Sequence, residues 1–501
     1  MGTLLQDIKY GYRQLSKSPG FTVIAILTLA LGIGANTAFF GVLNTTFLRP
    51  LPYPQSGRLV HIRERSLKSN KVKSVSYPDF MDWKQMQTSF TALTIYCPDS
   101  TTCLRTETGT ERIPIAQVDR DFLKVFGYQP VIGRDFTAED DQGSAELAAL
   151  VTYSTWSKRF NCDPGVLGRT IQVDEQSATI IGILPTEFQF FHNCELILPL
   201  GPFVERMYMH KRESHGNTYV VGRLRPDRTI SAARKEMDSI ATRLTEQYPK
   251  TNADIGVTLT DLRRHLMGNV KQQQALLMSA VGLVLLIVCV NIATLTLARS
   301  CARNQEMAVR AALGAGRGRL VRQMMVEHIL LAAIGGVFGL LLAVGLSTVF
   351  DSLVPFYIRH LNPGGVSIMD VRVGTFTFVV TLLTGLGFGL APAWQLSRAS
   401  AHNILKDRSA TNKYSFVGTR TAGVLVAAQI GLATILVIAS GLVLRSLWSL
   451  SNTPLGYKAE KVLSLRLASP RKRMDGSFLR AGAFYTEAAE RLAQLPGVEA
   501  A

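Results

Sequence analysis

Residues 21–48 read FTVIAILTLALGIGANTAFFGVLNTTFL, 28 residues without a single Asp, Glu, Lys, Arg or His. A hydrocarbon core about 30 Å thick needs roughly 20 helical residues, and within lipid only a helix or a closed barrel satisfies its own backbone groups. The run is therefore predicted to be a transmembrane helix. It exceeds the roughly 7–15 apolar residues of a secretory signal, and no small-x-small cleavage site closes it before Asn44-Thr45-Thr46, so an uncleaved signal-anchor is expected.

Four further runs lack those five residue types: 272–298, 329–350, 373–397 and 421–444. Five spans follow, and with them an α-helical integral membrane protein. Short flanks orient it. Residues 1–20, 299–328 and 398–420 carry three, six and five basic residues against one, two and one acids. The flank 351–372 has two of each, and 49–271 sums to +3 over 223 residues from 29 basic and 26 acidic side chains. Basic flanks stay in the cytoplasm. The amino terminus is thus expected inside and 49–271 outside. The stretch Leu4–Leu15 is amphipathic and is expected to lie along the inner surface, with Pro19-Gly20 breaking it from the first span.

The net charge of +17 over 501 residues could signal nucleic-acid binding, but the excess sits at membrane boundaries with no accompanying motif, so nucleic acid is not an expected partner. At 47% hydrophobic the chain is too apolar for disorder. Cys97, Cys103, Cys162 and Cys194 fall in the exported segment, where one disulfide is admissible; three pairings are open. His210 and His215 are too loosely spaced for a zinc site, and no metal site is expected.

Within 49–271 the apolar pattern breaks into short units. Ala149–Val151 and Thr179–Leu184 read as buried strands and Ile171–Val173 as an alternating one. Ile230, Ala233, Met237, Ile240, Ala241 and Leu244 share one helical face between strand-like Tyr219–Leu224 and Ile255–Leu259. A large α+β domain is expected, with a β-α-β unit at its end and a lobe inserted at about 119–215.

A catalytic role finds no support in the motifs. There is no Gly-x-x-x-x-Gly-Lys-Ser/Thr loop, no Gly-x-Ser-x-Gly elbow and no His-Glu-x-x-His helix. Gly314-Ala315-Gly316-Arg317-Gly318-Arg319 lacks the Lys-Ser/Thr pair and a preceding strand, and reads as a turn between helices. The spans hold amides and hydroxyls such as Asn36 and Asn291, expected to bond helix to helix. Gly335/Gly339 and Gly385/Gly389, each four apart, should let helices approach closely.

Between the second and third spans, a short helix is expected over about 305–313, closed by Gly314. Its run Arg303-Asn-Gln-Glu306-Met-Ala-Val-Arg310-Ala-Ala-Leu-Gly314-Ala315 resembles the Arg-x-x-Glu-Ile-Gly-Ile-Arg-x-Ala-Leu-Gly-Ala coupling segment of MacB/FtsX-type ABC transporter permeases. Met307-Ala308 departs from Ile-Gly. Leu167–Ile171 and Ile180–Pro185 resemble the periplasmic core of the same group, and the order of one span, a large domain and three spans is similar.

The resemblance implies a division: lead 1–20, spans 21–48, 272–298, 329–350 and 373–397, core domain 49–271, coupling loop 299–328 and linker 398–420. Pro50-Leu-Pro-Tyr53 is echoed by Pro454-Leu-Gly-Tyr457, 404 residues on, after the span 421–444. This is similar to the duplicated orphan branch, with 445–501 expected to begin a second exported domain that the chain leaves incomplete.

For mechanism, the resemblance implies a separate ABC ATPase dimer, holding ATP and Mg, that docks on the cytoplasmic loop. Glu306 and Arg310 would orient the coupling helix; Gly314 and Ala315 would allow its sharp exit, with Arg303 at its head. Other implied partners are membrane lipids and a periplasmic or outer-membrane protein. A membrane-anchored binding or sensor protein without a motor, or a secondary transporter, are the alternative readings.

Overall fold

The computed structural model describes residues 2–106, 109–174, 176–204, 209–268, 270–302, 317–352, 354, 359, 361, 365–398, 411–452 and 478–498. The chain divides into two compact units, one of Met1–Arg49, Asn269–Pro355 and Gly364–Val462, the other of Pro50–Gly268, Phe356–Pro363 and Leu463–Ala501.

The first unit is helical. Numbered in chain order across the whole protein, its helices are α1 (Gly2–Ser16), α2 (Pro19–Leu43), α10 (Val270–Ala302), α11 (Arg317–Gly345), α12 (Ser347–Asp351), α13 (Val371–Arg398) and α14 (Thr411–Ser451). Among the described residues, four apolar stretches are long enough to cross a membrane: Pro19–Leu48, Met278–Thr296, Val321–Gly345 and Val426–Ser446. A shorter one, Val371–Gly387, lies in α13. Each overlaps one of the five uncharged runs, the third starting earlier and taking in Arg322, Glu327 and His328, and the protein is an α-helical integral membrane protein with a large α+β domain.

Apolar side chains gain nothing from leaving lipid for one another, so packing and polar bonds must hold the bundle. Small residues supply the packing. A Cβ on Gly34 of α2 would stand 2.8 Å from the Gly339 carbonyl of α11, and one on Gly385 of α13 would meet Ala332 at 2.9 Å. Gly335 packs on Leu29, and Gly389 on Met325 and His328. Polar bonds join the same helices. Asn36 Nδ2 donates to the Val281 carbonyl of α10 at 3.1 Å, and Thr37 and Thr377 hydroxyls pair at 3.0 Å. At Asn291, the other expected amide, the bond recorded is within α10: the Thr294 hydroxyl donates to the Asn291 backbone carbonyl at 2.8 Å.

The second unit is one eleven-stranded sheet in the order β11-β1-β10-β3-β4-β9-β6-β8-β5, with β2 on β1 and β7 on β3 and β8. The strands are β1 (Leu59–Ser66), β2 (Val72–Lys73), β3 (Phe90–Thr106), β4 (Gly109–Val118), β5 (Ile132–Gly133), β6 (Leu147–Val151), β7 (Thr170–Val173), β8 (Gln176–Ile183), β9 (Leu196–Pro199), β10 (Tyr219–Leu224) and β11 (Ile255–Asp261). Helices α3 (Tyr77–Met86), α4 (Phe122–Phe126), α5 (Tyr153–Phe160), α6 (Gly201–Val204), α7 (Ile230–Gln247), α8 (Pro249–Asn252) and α9 (Leu262–Met267) connect them. Several start where a side-chain oxygen takes an orphan amide: Ser76 for α3, Thr152 for α5, Thr229 for α7 and Asp261 for α9.

Two cores lie on this sheet. Val60, Ile62, Leu93, Ile95 and Val220 pack with Ala233, Met237, Ile240 and Leu244 of α7; Leu104, Ile113 and Ile115 pack with β6, β8 and β9. The long strand β3 therefore serves both cores, and the second core draws on residues ahead of position 119. The β-α-β unit β10-α7-β11 is split: β1 pairs antiparallel with both strands and lies between them, so β10 and β11 run parallel one strand apart.

Candidate functional site

The resemblance directs attention to residues 299–328. Its candidates Arg303, Glu306, Arg310, Gly314 and Ala315 lie outside the described residues, as does the helix expected at 305–313. What is described is how the neighbouring helices are held. Helix α1 buries Asp7, Gly11 and Leu15, a spacing of four that lines up one helical face. Asp7 Oδ2 accepts from Arg322 Nε at 2.9 Å, the Asp7 side chain 8% exposed and the Arg322 side chain 44%. One turn on, a Cβ on Gly11 would stand 3.6 Å from Glu327 Cα, so α1 lies directly against the backbone of α11.

The turn from α1 into α2 is tied by Thr22, whose hydroxyl donates to the Leu15 carbonyl at 2.8 Å and the Ser18 carbonyl at 3.0 Å. The opposite face of α1 exposes Ile8, Lys9, Tyr12, Arg13 and Lys17. Sequence reading placed α1 at the surface but missed Asp7 and Arg322 as a pair. The available signal was that Asp7 is the sole acid in a basic leader.

At its other end α2 widens into a π-helical turn, Asn44–Leu48. Asn44 Nδ2 donates to Asp370 Oδ2 at 3.2 Å, and Arg372 Nη1 to the Leu48 carbonyl at 2.7 Å. Above it, Phe40 stacks on Phe376 with centroids 4.0 Å apart. Helix α2 is thereby bonded to its neighbours at this end as well as at Asn36 and Thr37.

The α+β unit carries three polar assemblies. The His61 ring stacks on His265 of α9 with centroids 3.6 Å apart and planes 8° from parallel; His61 Nε2 is buried without a hydrogen-bond partner. Burial, with the neighbouring Arg63 and His192, holds both imidazoles down, His265 to about 4. In the second assembly the fully buried Glu64 accepts from the Ser76 amide at 2.8 Å and contacts His215 Nε2 at 2.6 Å. Burial pushes the Glu64 carboxyl up, and the bond to Glu64 raises His215. Third, Arg212 bonds Asp79, reaches Asp82 at 2.8 Å and lies 3.7 Å over the Tyr248 ring. Arg212 and His215 thus strap the segment leading into β10 onto the first lobe.

The admissible disulfide is not formed: no bond joins Cys97, Cys103, Cys162 and Cys194. Cys97 packs in the first core and Cys162 against the second, while Cys97 and Cys103 are six residues apart on β3, too far for a bridge along an extended strand. Burial pushes the Cys194 thiol up to about 12. Among the described residues no three His, Cys, Asp or Glu side chains are placed to share a metal ion.

A helical bundle with uncharged apolar runs and an α+β unit inserted in sequence between its first and second spans define an integral membrane protein with one large non-membrane domain. Comparison specifies it. Residues 22–240 match the MacB-like periplasmic core domain and residues 278–401 the FtsX-like permease C-terminal domain, together more than half of the chain. The chain is a member of the MacB/FtsX-type permeases.

Similar curated proteins include the macrolide export ATP-binding/permease protein MacB of Neisseria gonorrhoeae, 26% identical over 281 residues, covering 55% of this chain and 40% of that protein. Its counterpart in Agrobacterium fabrum is 24% identical over 295 residues, covering 56% and 41%. The chain thus spans about two fifths of the length of these relatives. Among solved structures, the periplasmic region of MacB from Actinobacillus actinomycetemcomitans aligns with a TM-score of 0.33 at 16% identity, covering 43% of this chain and 94% of that one. A domain of a permease protein from Porphyromonas gingivalis aligns with a TM-score of 0.34 at 16% identity, covering 42% and 93%.

Proposed function

We propose that the chain is the permease subunit of an ABC transporter, relaying motion of a separate ATPase dimer to its exported domain for efflux or envelope-substrate handling. The observation that carries this reading is the joint presence of the MacB-like core and the FtsX-like permease domain in one chain. The packing supports it. Helices α2, α10, α11 and α13 meet through glycine contacts and amide or hydroxyl bonds, which favours levers over a titratable ion path.

On this proposal the amino terminus and residues 299–328 face the cytoplasm, and ATP and Mg are held by the partner subunit. Arg303, Glu306, Arg310, Gly314 and Ala315 form the docking segment, and the Asp7–Arg322 pair steadies α11 beside it. To swing a two-state assembly from 1:99 to 99:1 the ATPase must favour one state by about 5.5 kcal/mol.

The test is to express the chain with its cognate ABC ATPase, purify through a tag on the permease, and measure retained ATPase and its hydrolysis rate in nanodiscs. Retention that is lost on Arg310→Glu, with the chain still folded and inserted, is expected. ATP hydrolysis by the chain alone, or retention indifferent to changes across residues 303–315, would overturn it.

A further inference from the structure

Among the described residues, the longest strand left with a free side in the α+β unit is β11. It pairs with β1 alone, while the opposite terminal strand, β5, has two residues. Arg234 Nη2 donates to the Leu259 carbonyl at 2.9 Å. Since that carbonyl is taken from the α7 side, and main-chain groups alternate sides along a strand, those of Val257 and Ile255 lie on the same open edge. Seven residues of β11 offer about 24 Å of it.

A groove of about 500 Å³ follows this edge, walled by Ile230, Arg234 and Asp238 of α7 on one side and Arg65 and Arg264 on the other. Its lining carries three arginines, Arg65, Arg234 and Arg264, against two aspartates, Asp238 and Asp261, an excess of one positive charge. Asp261 Oδ1 is engaged by the Arg264 amide, capping α9. Among the described residues no carboxylate forms an ion pair with Arg65, Arg234 or Arg264, and Arg65 Nε is buried without a hydrogen-bond partner. Long edge strands are usually covered or blunted because they template pairing. Here a single movable guanidinium lies over the edge, with two more beside it.

We propose that the outer edge of β11 is a docking site for an extended, acidic segment of a partner protein, which adds to the sheet as a further strand. Main-chain bonds to Val257 and Leu259 supply affinity; alternating carboxylates meet Arg65 and Arg264 on one face and Arg234 on the other. This inference does not depend on the permease reading.

The test uses the full chain in nanodiscs, with fluorescein-labelled peptides of alternating valine and glutamate or valine and lysine, read by anisotropy and by hydrogen exchange. The glutamate peptide is expected to bind and to slow exchange at the Val257 and Leu259 amides. The double variant Arg65→Glu, Arg264→Glu should weaken it about tenfold, equivalent to about 1.4 kcal/mol. Arg65→Gln with Arg264→Gln, which removes charge without reversing it, should weaken it less and serves if the first variant misfolds. No binding, equal binding of the lysine peptide, or protection that falls elsewhere in the sheet would each overturn the proposal.

Discussion

The imidazoles of His61 and His265 lie face to face at 3.6 Å, joining the strand that follows the first membrane helix to the short helix that precedes the second. Two rings in this arrangement cannot both be charged without repulsion, and Arg63 and His192 add positive charge beside them. The stack is therefore a contact between neutral rings.

Its stability should depend on pH in a definite direction. Both histidines have folded values depressed below 6.5, so the unfolded chain binds the extra protons as pH falls. The contribution is fully present above 6.5 and is lost as pH falls toward about 4, where His265 titrates. Melting of the detergent-solubilised chain should fall across that window by on the order of 2 kcal/mol. His265→Phe keeps a stacked ring and should flatten the slope; an unchanged slope would remove the stack as its source.

Alanine should act in opposite ways at Gly34, where α2 crosses α11, and at Gly282 on α10. A Gly34 Cβ meets the Gly339 carbonyl at 2.8 Å and forces the helices apart, whereas Gly282 on α10 has nothing within 4 Å. Gly34→Ala is expected to destabilise the bundle by roughly 1–3 kcal/mol. Gly282→Ala should be neutral or stabilising by up to about 1 kcal/mol, from helix propensity alone. Thermal unfolding in nanodiscs compares them directly.

Arg212 ties the segment before β10 to the first lobe through Asp79, Asp82 and the Tyr248 ring. Its side chain is 14% exposed and that of Asp79 is 2%. Arg212→Ala leaves the buried Asp79 with one remaining donor, Asn252 Nδ2 at 2.9 Å, and should cost roughly 2–4 kcal/mol. Proteolysis should then open the chain between Met209 and Asn217; resistance equal to the parent would mean that His215 and Glu64 suffice.

The Asp7–Arg322 pair is half exposed at the arginine, so its static worth is small, about 0.5–1 kcal/mol. Its consequence should appear in communication with the ATPase instead. Asp7→Arg sets two cations together and is expected to lower ATPase stimulation by the permease; adding Arg322→Asp should restore it. A loss that the swap cannot rescue would assign the effect to α1 itself.

The five apolar runs, the helical face of α7 and the strands β6, β7, β8, β10 and β11 were legible because each is a local periodicity or an uninterrupted apolar length. The candidate site was legible as a motif, Arg303 to Ala315, and its five residues lie outside the described structure. Other features had no local signature. Nothing near Asp7 names Arg322, 315 positions away, and nothing near Leu59 predicts that β1 would wedge between β10 and β11. The placing of the cysteines belongs with these: compartment and count permitted a disulfide, and the fold sets Cys97 in the first core and Cys162 against the second.

Sequence by itself determined which segments enter the membrane and which fold outside it, because the cost of placing charge or unbonded backbone in lipid is decided residue by residue along the chain. Tertiary structure alone decided which helices touch, which strand edge stays open and which charges find partners. Those outcomes depend on close approach between residues hundreds of positions apart, and no periodicity in the chain encodes that distance.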